Sequence, residues 1–360
     1  MRILSLGEIS PGRTTLMRQR AMARLGHEVR GVNTVKPWAR ASWLARHVQK
    51  RLERGSVVDA INASVLAAAN EFRPDLVWAD KQEFLRAETL RELRAGGARL
   101  VHFTPDPYFT LSWKRTRLMD EALAEFDVLV YCKSYERPQY ERSGKASYYM
   151  ALGYCDEVHR PLPSADPRWR STIGFLGGWE PRRERMLHAI AASGAATKIW
   201  GMYWDFLADG RWTLRRQVIL GQLAGDDDFR FHADPLLAAA YQGPEVYDDD
   251  YAAALTGARI GLGLLRTCCP DQHTTRSFEI PACGSMLLAD RTDEHRELFE
   301  EGREAEYFAS DAELLDKVAF YRRNDAARAR VALAGLRRCE TGRYAYIHRM
   351  RDALEWIART

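Results

Sequence analysis

Apolar residues recur along this chain in two alternating patterns: short continuous apolar runs, and longer stretches with an apolar residue every three or four positions. Arg2–Leu6 reads as a strand, and Arg13–Leu25 as a helix with Leu16, Met17 and Leu25 on its apolar side. Gly26 stops that helix, and His27–Val32 begins the next strand. Further strands are expected at Leu76–Ala79, Leu100–Thr104, Val128–Cys132 and Tyr148–Ala151, with helical patterns between them. A β-α-β succession of this kind predicts a mostly parallel, doubly wound α/β sheet.

The pattern breaks between Cys155 and Arg170, where three prolines and no apolar periodicity mark a linker. It then resumes with strands at Thr172–Leu176, Thr197–Trp200, Ile260–Leu265 and Met286–Ala289. Helices are expected at Arg182–Ser193, Tyr251–Thr256, 311–322 and 325–339. Residues 201–250, including W-D-F-L-A-D-G-R-W and the acidic run Asp226–Asp228, fit neither period and read as an insertion or long loops. Tyr344–Ala358 is an amphipathic helix with Ile347, Met350, Leu354 and Ile357 on one face. The expected organisation is a Rossmann-like domain over 1–155, a linker over 156–170, a second Rossmann-like domain over 171–342 and a terminal helix over 343–360.

Composition narrows the class. A chain of 360 residues, 46% apolar and 28% charged, is long enough for two ordinary globular domains. Met1–Gly7 is too short an apolar run for a signal peptide, and no run of ~18 apolar residues occurs to span a bilayer. The six cysteines form no C-x-x-C pair and no Cys/His cluster with metal spacing, so no metal is expected and a reducing, cytoplasmic setting is the simple reading. Net charge is only +4, but residues 1–150 carry 25 Lys+Arg against 17 Asp+Glu. An N-terminal half facing something anionic would account for the excess. Nucleic acid, an anionic membrane surface and an anionic polymer all qualify by charge; no recognition motif supports nucleic acid. Trp38–Arg54 adds an interfacial amphipathic pattern, with Trp38, Trp43, Leu44, Val48 and Leu52 among cations. A plain helix packing on the sheet with a basic outer face reads equally well.

Candidate chemistry concentrates in Asp271–Phe299, D-Q-H-T-T-R-S-F-E-I-P-A-C-G-S-M-L-L-A-D-R-T-D-E-H-R-E-L-F: a polar loop, a short helix, a Gly284 stop and a buried strand. Thr274 or Thr275 is expected to cap the helix. Asp271, His273, Arg276 and Glu279 gather at one loop–helix corner, and corners at the carboxyl ends of strands bind ligands in open α/β sheets. Glu279 lies among the apolar Phe278, Ile280 and Cys283, so it either pairs outward with Arg276 or accepts hydrogen bonds from a hydroxyl-rich ligand. Arg276 and His273 suit phosphate or sugar hydroxyls near a helix start. Gly177-Gly178 ends a strand and leads to Arg182, Arg183 and Arg185; the glycines admit close backbone approach, and Arg182 leads the candidates for a diphosphate. In the first half, the Gly7-Glu8-Ile9-Ser10-Pro11-Gly12 turn and the rigid Pro105-Asp106-Pro107 turn sit at expected sheet edges. Asp106 either acts on an acceptor hydroxyl or caps a local turn, and His102 reads as a packed core histidine. No G-x-x-x-x-G-K-[ST] occurs, which argues against a P-loop.

F-E-I-P-A-C-G at 278–284, the apolar strand after it and the following L-F-E-E-G resemble the donor-binding signature of GT-B glycosyltransferases, which have two Rossmann-like domains facing a central cleft. Over residues 258–340 the likeness is narrower, to the spore-maturation CgeB-like members of group 1, and L-G-H-E-V at 25–29 is common at the first helix–strand turn of such enzymes. The resemblance implies transfer of a sugar from a nucleotide-diphosphate sugar to a glycan, lipid-linked or protein acceptor, with retention of configuration, no metal and no cofactor. It implies a donor-sugar contact for Asp271, which stands where the family more often has Glu, and an acidic residue at the place of Asp106; with His273, these are the expected catalytic residues. Gly177, Gly178, Arg182, Arg276 and Glu279 would hold the donor, and Gly7, Glu8 and Gly12 would border the acceptor. It also implies that the terminal helix crosses back to the first domain. A nucleotide-sugar epimerase on the same plan, or a binding protein without turnover, are the alternatives. An enzyme in the cytoplasm, with peripheral contact to an anionic membrane admitted by the charge, completes the expectation.

Overall fold

A computed structural model describes residues 1–111, 115–208 and 232–360. The expected loops around Asp226–Asp228 lie outside the described residues. The chain forms two compact units, one of Met1–Cys155 with Tyr346–Thr360, the other of Asp156–Ala345.

The first unit is a six-stranded parallel sheet in the order β2-β1-β3-β4-β5-β6. Its strands are β1 (Arg2–Gly7), β2 (Glu28–Asn33), β3 (Leu76–Asp80), β4 (Arg99–Thr104), β5 (Val128–Tyr131) and β6 (Ala146–Tyr149). Its helices are α1 (Thr14–Arg24), α2 (Lys36–Arg40), α3 (Trp43–Leu52), α4 (Ser56–Phe72), α5 (Ala87–Ala95), α6 (Arg117–Leu123) and α7 (Arg137–Arg142). All-parallel strands are covered on both faces, so they carry near-continuous apolar runs. Leu4 and Leu6, Val77 and Ala79, and Leu100 build one core with Val58, Ile61 and Val65 of α4.

The second sheet is also six-stranded and parallel, in the order β12-β11-β10-β7-β8-β9. Its strands are β7 (Ser171–Leu176), β8 (Thr197–Trp200), β9 (Tyr241–Gly243), β10 (Ala258–Gly263), β11 (Met286–Asp290) and β12 (Glu306–Phe308). The described helices are α8 (Pro181–Ala192), α9 (Pro235–Ala240), α10 (Asp248–Gly257), α11 (Arg276–Ala282), α12 (Asp293–Leu298), α13 (Asp311–Arg323) and α14 (Asp325–Thr341). Strand order reverses between β7 and β10, which makes the gap beyond their carboxyl ends the ligand-binding crevice of such a sheet.

Helix α15 (Tyr346–Arg359) belongs to the first unit and packs against α1. The Tyr346 N–H donates to the Tyr154 carbonyl at 2.7 Å, and the Trp356 ring packs tilted against Tyr148 at 5.2 Å. The proline-rich segment 156–170 lies in the second unit. Its Leu162 N–H donates to Thr256 Oγ1 at 3.0 Å, and Arg160 pairs with Asp249, so it is tied down along its length. All six cysteines are free thiols. Among the described residues no helix is long and apolar enough to cross a membrane.

Candidate functional site

At the carboxyl edge of the second sheet, β7 ends in Gly177-Gly178-Trp179-Glu180 and runs into α8, whose first residue is a proline suited to a helix start. The Gly177 N–H donates to the Trp200 carbonyl at 2.9 Å, and the Gly177 carbonyl accepts from Trp204 Nε1 at 2.8 Å. A Cβ on Gly177 would lie 2.8 Å from the Phe175 ring, so packing alone demands glycine there. A Cβ on Gly178 would meet only the Met202 carbonyl, at 3.9 Å, so Gly178 offers the closer approach for a ligand.

Two loops meet across the reversal point. Glu180 accepts hydrogen bonds from the Thr267 N–H at 2.7 Å and from its hydroxyl. Arg183 is buried and donates to the carbonyls of Gly178 at 3.0 Å and Leu264 at 2.9 Å. Asp290, at the end of β11, accepts from the Leu265 N–H at 2.7 Å and pairs with Arg182. These bonds fix the backbone rim of the crevice. Sequence reasoning did not find Glu180 or single out Arg183. The signal for Arg183 was available in the helical phase, because 183, 186, 187 and 190 share the inward face of α8.

Arg182, expected to meet a diphosphate, is instead held by Asp290. The better candidate is Arg276. It is half-buried, its Nε is enclosed without a hydrogen-bond partner, and no ion pair engages it among the described residues. Its charge is felt nearby: burial first, then the Arg276 guanidinium, push Arg183 down to about 10. Arg266 adds to that positive field and is offset by Asp271 at 3.4 Å. A cationic corner with one unengaged guanidinium favours an anion.

One turn along α11, Glu279 is buried but does not pair with Arg276. Tyr251 of α10 donates to its Oε2 at 2.6 Å, while His159 Nε2 stands 3.7 Å from Oε1, beyond hydrogen-bond range. Burial lowers the His159 pKa, so it stays neutral at pH 7, and burial with the Glu279 charge raises Tyr251 far above its usual range. Each carboxylate oxygen accepts two hydrogen bonds, so Glu279 keeps acceptor capacity on both oxygens. Tyr251 and His159 were not legible as partners, since they lie 28 and 120 positions upstream of Glu279.

Other expected residues sit deeper than anticipated. The Asp271 side chain has no exposed surface and supports Arg266. His273 is buried, pairs with Glu294 and stands edge-on to Phe278 at 5.6 Å. Both lie in the loop before α11, which begins only at Arg276, and the Phe278 ring packs against His273. Thr274 and Thr275 do not cap α11: Thr275 has helical backbone angles and no side-chain bond, and Ser277 Oγ instead accepts from the Thr274 N–H at 3.1 Å. Gly284 does stop the helix, at φ +80°.

In the first unit, Gly7 ends β1 and Glu8 and Gly12 lie in the turn after it. A Cβ on Gly7 would meet Thr15 Cγ2 at 2.7 Å, so α1 packs directly on it, and Gly12 takes the left-handed φ of +74°. Glu8 pairs with Arg13 at 3.0 Å. Asp106 lies after β4 with Lys81 Nζ 2.6 Å from its carboxylate, so it is an ion-paired group and not a free base. His102 is a core histidine, with Nδ1 3.0 Å from Thr104 Oγ1 and Nε2 3.1 Å from the Gln82 carbonyl. The β1–β3 edge also holds Arg18 and Asp80, fully buried and 2.6 Å apart, which sequence reasoning did not pair.

Residues 182–355 match the family model described as glycosyl transferase-like. No curated protein matches. Among solved structures, Anabaena HepE in complex with UDP-glucose is 13% identical, with a TM-score of 0.64 and full coverage of both chains. Sucrose-phosphate synthase from Thermosynechococcus elongatus is 12% identical at TM-score 0.66, covering 100% of this chain and 99% of that one. A UDP-forming α,α-trehalose-phosphate synthase from Burkholderia xenovorans, in complex with glucose-6-phosphate, is 12% identical at TM-score 0.61 with full coverage of both. At such identities the likeness speaks for the fold, which agrees with two six-stranded parallel sheets. The chain has the GT-B fold, and its residues 182–355 match a glycosyl transferase-like family model.

Proposed function

We propose that this enzyme moves a sugar from a nucleoside-diphosphate sugar to an acceptor hydroxyl, with retention of configuration and without a metal. The observation that carries the reading is the placement of Arg276 and Glu279 one turn apart on α11, one an unengaged cation and the other a carboxylate with spare acceptor capacity. A diphosphate and a ribose diol carry the complementary groups, an anion for the guanidinium and hydroxyl donors for the carboxylate. The α8 N-terminus and Arg276 would stabilise negative charge on the departing diphosphate, the role a metal plays elsewhere. Asp271 and His273 serve this reading as supports that hold the loop, and Arg182 as a brace on Asp290. In the first unit, the Lys81–Asp106 pair is the group proposed to orient the acceptor. The motif over 271–299 supports the narrower placement with CgeB-like transferases. UDP-glucose, the ligand of HepE, is the first donor to try.

The test is transfer followed by NMR of the product anomer, with and without a chelator. Retention and unchanged turnover in EDTA are the expected results; inversion, or loss of turnover restored by a divalent cation, would remove those parts of the reading. Arg276→Ala is expected to weaken nucleoside diphosphates by about 1.5–2 kcal/mol and free nucleosides hardly at all. Titration calorimetry with both ligand types checks it, and equal losses would show that Arg276 has no phosphate role.

A further inference from the structure

Helix α3 is turned the opposite way to an ordinary surface helix. None of its residues is buried, and Trp43, Leu44, Val48 and Leu52 are 50%, 64%, 45% and 52% exposed. Leu44, Val48 and Leu52 stand four apart and form a continuous outward stripe. Gln49 and, just past the helix end, Glu53 turn inward and hold the helix in this orientation. Gln49 Oε1 accepts from the Val57 N–H at 2.8 Å, and Gly55 leaves room for it, since a Cβ there would lie 2.7 Å from the Gln49 side chain. Glu53 accepts from the Leu118 N–H at 2.7 Å and the Arg117 N–H at 3.3 Å, at the start of α6. Ser42 caps α3 by accepting from the Ala45 N–H at 3.2 Å. Specific hydrogen bonds therefore present the apolar face to solvent, which an ordinary packing helix would bury.

The charges around that stripe are one-sided. Residues 36–54 contain six Lys+Arg and one acid, Glu53, which is turned inward. Lys36, Arg40, Arg51 and Arg54 are exposed and join no ion pair among the described residues, while Lys50 lies over the Trp38 ring at 5.3 Å. Exposed tryptophan and leucine flanked by unpaired cations match the two halves of an anionic lipid surface: acyl chains below, phosphates above. We infer that α3 is a docking element for an anionic membrane surface, with its apolar stripe entering the headgroup–acyl boundary and Lys36, Arg40, Lys50, Arg51 and Arg54 meeting lipid phosphates. This inference does not rest on the donor-site reading, since none of these residues belongs to that site.

The experiment is co-sedimentation of the full chain with vesicles of equal parts phosphatidylglycerol and phosphatidylcholine, against phosphatidylcholine alone, at low and high salt. Binding to the anionic vesicles alone, weakened by salt, is expected. Arg51→Gln with Arg54→Gln should weaken it roughly thirtyfold. The triple variant Leu44→Gln, Val48→Gln, Leu52→Gln should abolish it at the same lipid concentration, and circular dichroism with an unchanged melting curve confirms an intact fold. Wild-type protein that ignores anionic vesicles at low salt would overturn the inference, as would full binding by the triple variant. A wild-type dimer that the triple variant dissociates, without vesicle binding, would assign the face to a second copy and also overturn it.

Discussion

Replacing Glu279 by glutamine is expected to weaken binding of a nucleoside-diphosphate sugar by roughly 3 kcal/mol, about 150-fold, while leaving the fold intact. The loss follows from polarity. A carboxylate accepts from both hydroxyls of a diol, whereas the carboxamide presents a donor where one of them must be received. Glutamine still offers a carbonyl to the Tyr251 hydroxyl, which lies 2.6 Å from Glu279 Oε2. Alanine does not, so Glu279→Ala should lower stability as well, by about 1–3 kcal/mol for a buried hydroxyl left unpaired. Comparing the two variants by calorimetry and urea unfolding separates a ligand contact from a structural one. Wild-type donor affinity in the glutamine variant would reduce Glu279 to a partner of Tyr251 and nothing more.

Acidification is expected to destabilise each unit by about 2.5 kcal/mol between pH 7.5 and 4.5. His102 in the first unit and His295 in the second are both buried, and burial lowers each to about 4. Their surroundings leave no room for a proton's charge. His102 is bracketed by Thr104 and Gln82, while His295 bonds Ser277 Oγ and the Asp290 carbonyl at 2.7 Å each and stacks on Tyr307. An unfolded histidine titrates near ~6.5, so the unfolded chain binds more protons over this window. Stability is therefore complete above about pH 6.5 and falls as pH drops towards 4. Burial depresses His159 as well, which adds loss of the same sign to the second unit. Urea unfolding at several pH values checks this, and His102→Gln or His295→Gln should flatten the profile of its own unit. Equal stability at both ends of the window would contradict it.

Much of the fold was legible because parallel strands are apolar on both faces. Thr197–Trp200 was read without error, and most other strand and helix ends shifted by one or two residues. The strands β9 and β12 were missed because three residues are too short for any periodicity to register. Glu279 and Arg276 marked the corner proposed above to hold the donor, but its wiring was not legible. Asp290 capturing Arg182, and Tyr251 capturing Glu279, are contacts between elements 108 and 28 residues apart, which only the sheet order brings together. The amphipathic pattern of α3 was visible, yet its orientation was not. Which face turns inward depends on where Gln49 and Glu53 find backbone N–H groups.

Titration calorimetry of the wild-type chain tests whether the corner formed by β7, β10 and α11 holds a nucleoside-diphosphate sugar. The ligands are UDP, GDP, TDP and their glucose conjugates, repeated with Glu279→Gln. At least one base is expected to give saturable binding with Kd below about 1 mM, a range typical of enzyme substrates, and the variant is expected to lose it. No binding by any of the six ligands, or binding that survives the substitution unchanged, would contradict it.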